Sequence, residues 1–193
     1  MNRSYRQNKR AEAAAETRRR IVEATVELHR TVGPRHTTVA EVARRAGVER
    51  LTVYNHFPDE ADMVRACQGH WLGLHPPPDR PGWGATPDPE ARLRQALTSL
   101  YAWFEETEEM TSRVVRDAPD LPSFDFIVKG WIEQNRRTVE ILSEGRVATS
   151  RLDATLRTVT SFHTWQVLRR QAGLGNDAAI ALAMDWVSAA ERA

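Results

Sequence analysis

The stretch Ala43–Val53, ARRAGVERLTV, constrains the fold more than any other part of the chain. Two helices that cross closely need a small residue at the crossing and a turn residue tolerant of positive φ. They also need an apolar residue on the second helix, ten positions after the small one. Ala43, Gly47 and Val53 supply the three, and Leu28, Val39, Val42 and Val48 can fill the core behind them. Elsewhere apolar residues recur at helical spacing and sustained period-2 alternation is nearly absent, so the expected class is all-α.

The spacing predicts a first helix over about 11–32, with Ile21, Thr25, Leu28 and Val32 on one stripe and Gly33-Pro34 as its stop. Thr38 opens a second helix through the capping box Thr38-Val39-Ala40-Glu41, and Ala46-Gly47 ends it. A third spans about 49–57, and Asp59 can cap a fourth running to about Leu72. The Pro- and Gly-rich stretch 75–88 reads as a long loop, functional or mobile. Five further helices are expected over 89–106, 108–117, 123–143, 151–172 and 177–190. The punctuation divides the chain into a basic arm (1–16), a helix-turn-helix segment (17–58) and a larger C-terminal helical region (59–193) that opens on the helix 59–74.

Charge is distributed unevenly along the chain. Residues 1–57 hold 12 Lys plus Arg against 6 Asp plus Glu, or +6, while the remainder holds 15 against 20, or −5. The net charge of +1 excludes binding to nucleic acid by bulk charge, but a cationic front on an anionic body suggests a front that meets an acidic surface. The third helix offers Arg50, Thr52, Tyr54, Asn55 and His56 to base edges and phosphates, with Val53 and Phe57 turned inward. Thr37 and Thr38 stand at a helix N-terminus, where free amides and a partial positive charge favour a phosphate. Arg3, Arg6, Lys9 and Arg10 form a basic arm of the kind that reaches a minor groove.

Residues 17–71, including RRRIVEATVELHRTVGPRHTTVAEVARRAGVERLTVYNHFPDEADMV, resemble the DNA-binding domain of the tetracycline-repressor (TetR) family of bacterial transcription regulators. The resemblance rests on the Thr37-Thr38 cap, the Ala46-Gly47-Val48 turn and Thr52-Val53-Tyr54-Asn55-His56-Phe57-Pro58. It implies a helical subunit with an N-terminal helix-turn-helix, a linking fourth helix and a C-terminal domain that dimerises and binds a small effector. By the same resemblance Arg50 and Thr52 contact base edges; Thr37, Thr38, Tyr54 and His56 position phosphates; and Asn55 is a further reader. The family commonly has a Lys two residues after the Pro, where this chain has Glu60 beside Asp59. Two carboxylates near a phosphate are repulsive unless they cap the helix and point away.

In the body, the last two expected helices each carry two apolar faces: Ile180, Ala183 and Val187 against Leu182, Trp186 and Ala189; and Leu152, Leu156, Val159 and His163 against Phe162, Trp165 and Leu168. Two faces need two neighbours, so a homodimer through these helices is expected. Trp103, Phe104, Met110, Val114, Trp131 and Phe162 are candidates to line an apolar effector pocket, with His163 and Gln166 as its polar anchors. Phosphate-loop, dinucleotide-binding, zinc-protease and nucleophilic-Ser motifs are absent, so no enzyme and no cofactor are expected. Cys67, His70 and His75 fall short of a four-ligand metal pattern. With a single Cys, no signal-type segment and no apolar run longer than Ala178–Met184, a cytoplasmic location is expected. The reading is a DNA-binding regulator, a repressor as the resemblance implies, that binds a palindromic operator as a dimer and is released by an apolar or aromatic effector. The alternative is a ligand- or protein-binding module of the same shape with weakened DNA binding.

Overall fold

The computed structural model describes residues 3–192, all in helices, turns and their connections. Contacts divide the chain into two compact units: residues up to Pro76 with Glu109–Val128, and Pro77–Glu108 with Lys129 onward.

The first unit begins with α1 (Arg3–Thr31), which starts eight residues before the expected position. The basic arm is therefore helical from Arg3; Met1 and Asn2, and the Arg3 side chain, lie outside what is described. Gly33 ends the helix at φ 92, a left-handed value that a side chain rarely adopts, and an added Cβ would come within 2.6 Å of both Arg116 and Asp117. Next come α2 (Val39–Ala46), α3 (Arg50–His56) and α4 (Glu60–Leu74). Thr38 caps α2, its hydroxyl accepting the Glu41 amide at 3.2 Å. The expected reciprocal half of the capping box does not form, because the Glu41 carboxylate instead accepts the Arg44 guanidinium. Ile21, Ala24 and Leu28 of α1, Val42, Ala43 and Ala46 of α2, Val53 and Phe57 of α3, and Met63 and Cys67 of α4 close one apolar core, joined by Met110. Thr25 is buried with them, whereas Val32 is exposed. Burial pushes the Cys67 thiol up to about 12, so it stays neutral and packs as a small apolar group.

In the second unit the stretch 75–88 is not a free loop. Asp79 caps a short helix, α5 (Arg80–Trp83), and Trp83 is buried in the core. The expected helices 89–106 and 108–117 are one continuous helix, α6 (Pro89–Asp117). Nothing at Thr107 interrupts it, since the Thr107 hydroxyl donates to the Trp103 carbonyl one turn back at 2.7 Å. Helix α6 gives residues up to Glu108 to the second unit and its last turns to the first, and α7 (Asp125–Ser143) is likewise divided after Val128.

The expected helix 151–172 is instead α8 (Ser150–Val159), α9 (Phe162–Gln166) and a π-helical turn, Val167–Gln171. Ser161 explains the break: its hydroxyl accepts the Thr164 amide at 3.1 Å and starts a new helix, so the side chain competes with continuation. The chain then forms α10 (Asn176–Glu191). Trp83, Leu93, Leu97, Leu100, Tyr101, Leu142, Leu156, Trp165, Ala183 and Val187 make the second core. Arg92 is buried without a carboxylate partner among the described residues; its guanidinium donates to the carbonyls of Thr86, Pro87, Ile141 and Glu144 at 2.8–3.2 Å. It thereby ties the segment after α5 to the carbonyl end of α7, where the helix dipole favours a cation.

Candidate nucleic-acid interface

The turn between α2 and α3 sets the site. Gly47 adopts φ 65, ψ 40, and its amide bonds back into the last turn of α2. The Ala46 carbonyl beside it accepts Arg20 Nη1 of α1 at 3.1 Å. With Val53 at 1% and Phe57 at 4% exposure facing the core, the other side of α3 is left to solvent. Arg50, Tyr54 and Asn55 are exposed, and Thr52 and His56 are half-buried. Arg50 has no ion-pair partner among the described residues, whereas Arg44 on α2 is held by Glu41. A helix with its side chains is about 10–12 Å across and a major groove about 12 Å wide, so α3 is the right size for a groove.

The two threonines before α2 are not equivalent. The Thr37 hydroxyl donates to the Gly33 carbonyl at 3.0 Å, so its one proton is committed. Thr38 is exposed and only accepts, through its cap, leaving its proton for a phosphate oxygen. Asp59 is committed in turn: its carboxylate caps α4 by accepting the Ala61 amide at 2.9 Å. Of the two carboxylates that bear on phosphate repulsion, Glu60 alone is left exposed without such a bond among the described residues.

The sequence reading passed over Leu51, which is 66% exposed on α3 beside Arg50. An apolar side chain there has no core to fill. Its signal was available, because Leu51 stands three and four residues before Tyr54 and Asn55 and so shares their face.

The expected effector residues are not brought to one place. Trp103, Phe104 and Phe162 join Trp165 in a ring cluster of the second unit, with neighbouring centroids 5.4–5.9 Å apart. Met110 and Val114 pack with the core of the first unit. Trp131 and Gln166 are half-buried, and His163 is exposed. A broad groove of about 740 Å³ lies elsewhere in the second unit, lined by Asp88, Glu90, Ala91, Arg94, Gln95, Thr98 and Ser99, none of them expected. On α10, Ile180, Ala183 and Val187 are buried, while Leu182 and Ala189 are half-buried and Trp186 is 38% exposed. No helix among the described residues is long and apolar enough to cross a membrane.

Residues 21–67, which hold α2, α3 and the buried half of α1, match the family described as bacterial regulatory proteins, tetR family. The chain is 38% identical over 74 residues to the HTH-type transcriptional regulator SrpR of Pseudomonas putida, covering 37% of this chain and 35% of that one. It is 42% identical over 55 residues to the HTH-type transcriptional regulator TtgR of Pseudomonas putida, covering 28% and 26%. To the HTH-type transcriptional repressor KstR2 of Mycolicibacterium smegmatis it is 30% identical over 125 residues, covering 58% and 57%. The matched part thus spans from about a quarter to just over half of these relatives, which are named as transcriptional regulators and not as enzymes. The exposed polar α3 and its glycine turn lie within the segment, residues 21–67, that matches the tetR family of bacterial regulatory proteins.

Proposed function

We propose that the protein is a DNA-binding transcriptional regulator that reads a palindromic operator as a homodimer, one α3 per major groove. The observation that carries this reading is the solvent face of α3, where Arg50, a cation without an ion-pair partner among the described residues, stands among hydrogen-bonding side chains and an exposed apolar Leu51. Arg50 suits bidentate contact with a guanine edge, Asn55 with adenine, and Leu51 with a thymine methyl. Thr38, Tyr54 and His56 hold phosphates and set the register. Thr37 contributes by supporting the turn, since its proton is already used.

The dimer forms through α10 and the segment before it, where Leu182, Trp186 and Ala189 present a second apolar face. Repression is the favoured output, because the relative KstR2 is named a repressor. An apolar or aromatic effector binds at the ring cluster around Phe104 and Phe162, and favours one of two arrangements of the paired reading heads. This requires the cluster to open, as its rings are packed against one another.

Titration of operator binding with salt tests the reading. A regulator of this kind loses affinity with a log-log slope near −0.9 per phosphate contact. Arg50→Ala then costs about 1–3 kcal/mol on the cognate base pair and relaxes preference at that position. A uniform loss on every sequence would remove Arg50 from base reading.

A further inference from the structure

We propose that the first half of α1 is a second DNA-contacting element, a preformed helix whose Arg6, Lys9 and Arg10 lie along the phosphate backbone beside the half-site read by α3. This rests on the DNA-binding reading above.

From Tyr5 to Arg20 every residue of α1 is exposed except half-buried Thr17, whereas from Ile21 to His29 nearly all are buried. Four turns of helix therefore extend past the core. They remain helical without packing for local reasons. Ala11 and Ala13–Ala15 are strong helix formers, and Arg19 bridges Glu16 and Glu23. Growth from the folded part of α1 also avoids the nucleation cost.

Arg6, Arg10, Ala13, Thr17 and Arg20 follow one another at three or four residues and share one stripe, with Lys9 three residues after Arg6 on its edge. The inner end of the stripe is fixed, because Arg20 bonds the Ala46 carbonyl at the turn leading to α3. Arg6, Lys9 and Arg10 have no ion-pair partners among the described residues, while Glu16 is taken up by Arg19.

The helical form decides the partner surface. A helix is about 10 Å across and cannot enter a minor groove about 6 Å wide, which corrects the expectation of a minor-groove arm. Its cations meet phosphates instead. Arg6 to Arg20 spans about 21 Å of helix axis, the rise of about six base pairs.

The experiment measures salt-dependent binding of the full chain to three duplexes: the selected operator with six flanking base pairs, the operator without them, and a scrambled duplex of the longer length. Wild type gains affinity from the flanks. In R6A/K9A/R10A the salt slope falls by about 5 for the dimer, or 2–3 per subunit, on both long duplexes, the flank gain vanishes and base preference is unchanged. Ala14→Pro keeps every charge and lies outside the core, yet loses the flank gain. An unchanged slope in R6A/K9A/R10A, with operator selectivity intact, overturns the arm and leaves the reading of α3 standing. Wild type without selectivity, but with an arm-dependent slope on scrambled duplex, does the reverse. Charge dependence seen on phosphatidylserine vesicles and absent on every duplex also overturns the proposal, and a flank gain that survives Ala14→Pro overturns its helical form.

Discussion

Thr37 and Thr38 carry the same hydroxyl one residue apart, yet their protons are committed differently, and chemistry at this site turns on such details. Thr38→Ala removes a cap worth about 1 kcal/mol as well as the proposed phosphate donor, so it lowers both the thermal midpoint and operator affinity. Thr37→Val lowers the midpoint and leaves the salt slope unchanged. Calorimetry and binding titrations of the two variants separate these outcomes. The cap at Thr38 was legible in the sequence, but the Glu41 carboxylate has both an amide and Arg44 within reach, and spacing alone does not rank them.

His29 makes a second prediction at this scale. Burial pushes its imidazole down to about 4, against a smaller upward pull from the Asp117 charge. The unfolded chain takes up that proton near pH 6.5, so between about 6.5 and 4 it binds more protons than the folded one. Stability is therefore full above pH 6.5 and falls by up to about 3 kcal/mol on acidification to pH 4. Asp117 acts in a lower window, because hydrogen bonds from Arg116 hold its carboxyl below the usual range; its contribution is lost only in stronger acid. Urea midpoints across pH show the upper window in wild type and a flatter curve in His29→Gln. An identical pH dependence in both would remove His29 as the cause.

At the scale of elements, α2 and α3 were legible because their signals are local: a cap, a left-handed glycine and a ten-residue spacing all lie within one stretch. Three other features escaped the spacing, two through competition between local bonds and one through contacts far apart in sequence. Helix α6 runs through Thr107 because no residue there terminates it. The helix after Ser150 breaks where Ser161 captures an amide. The Pro-rich stretch is pinned because Trp83 finds a core made by α6, α7, α8 and α10. Trp83→Ala accordingly costs about 3–5 kcal/mol, where the same change in a mobile loop would cost almost nothing. Chemical denaturation reads this directly. A midpoint within error of wild type would restore the loop reading.

At the scale of the whole molecule, the division of charge between a cationic front and an anionic remainder was readable from composition, and so was the all-helical class. Which aromatic residues pack together was not, because those that fill a core and those that line a cavity have the same spacing. The proposed pairing of subunits rests on the second apolar face of α10. Light scattering at micromolar concentration gives twice the 21.9 kDa chain mass, and Trp186→Glu returns it to one. A monomeric wild type would contradict the proposed assembly.

The central claim is that the open face of α3 reads base sequence. Selection of bound fragments from random duplex DNA tests it most directly. The account predicts enrichment of an inverted repeat whose half-sites lie about one helical turn or a multiple apart, with Arg50→Ala losing one position of the consensus. Recovery of fragments with no shared sequence would contradict it.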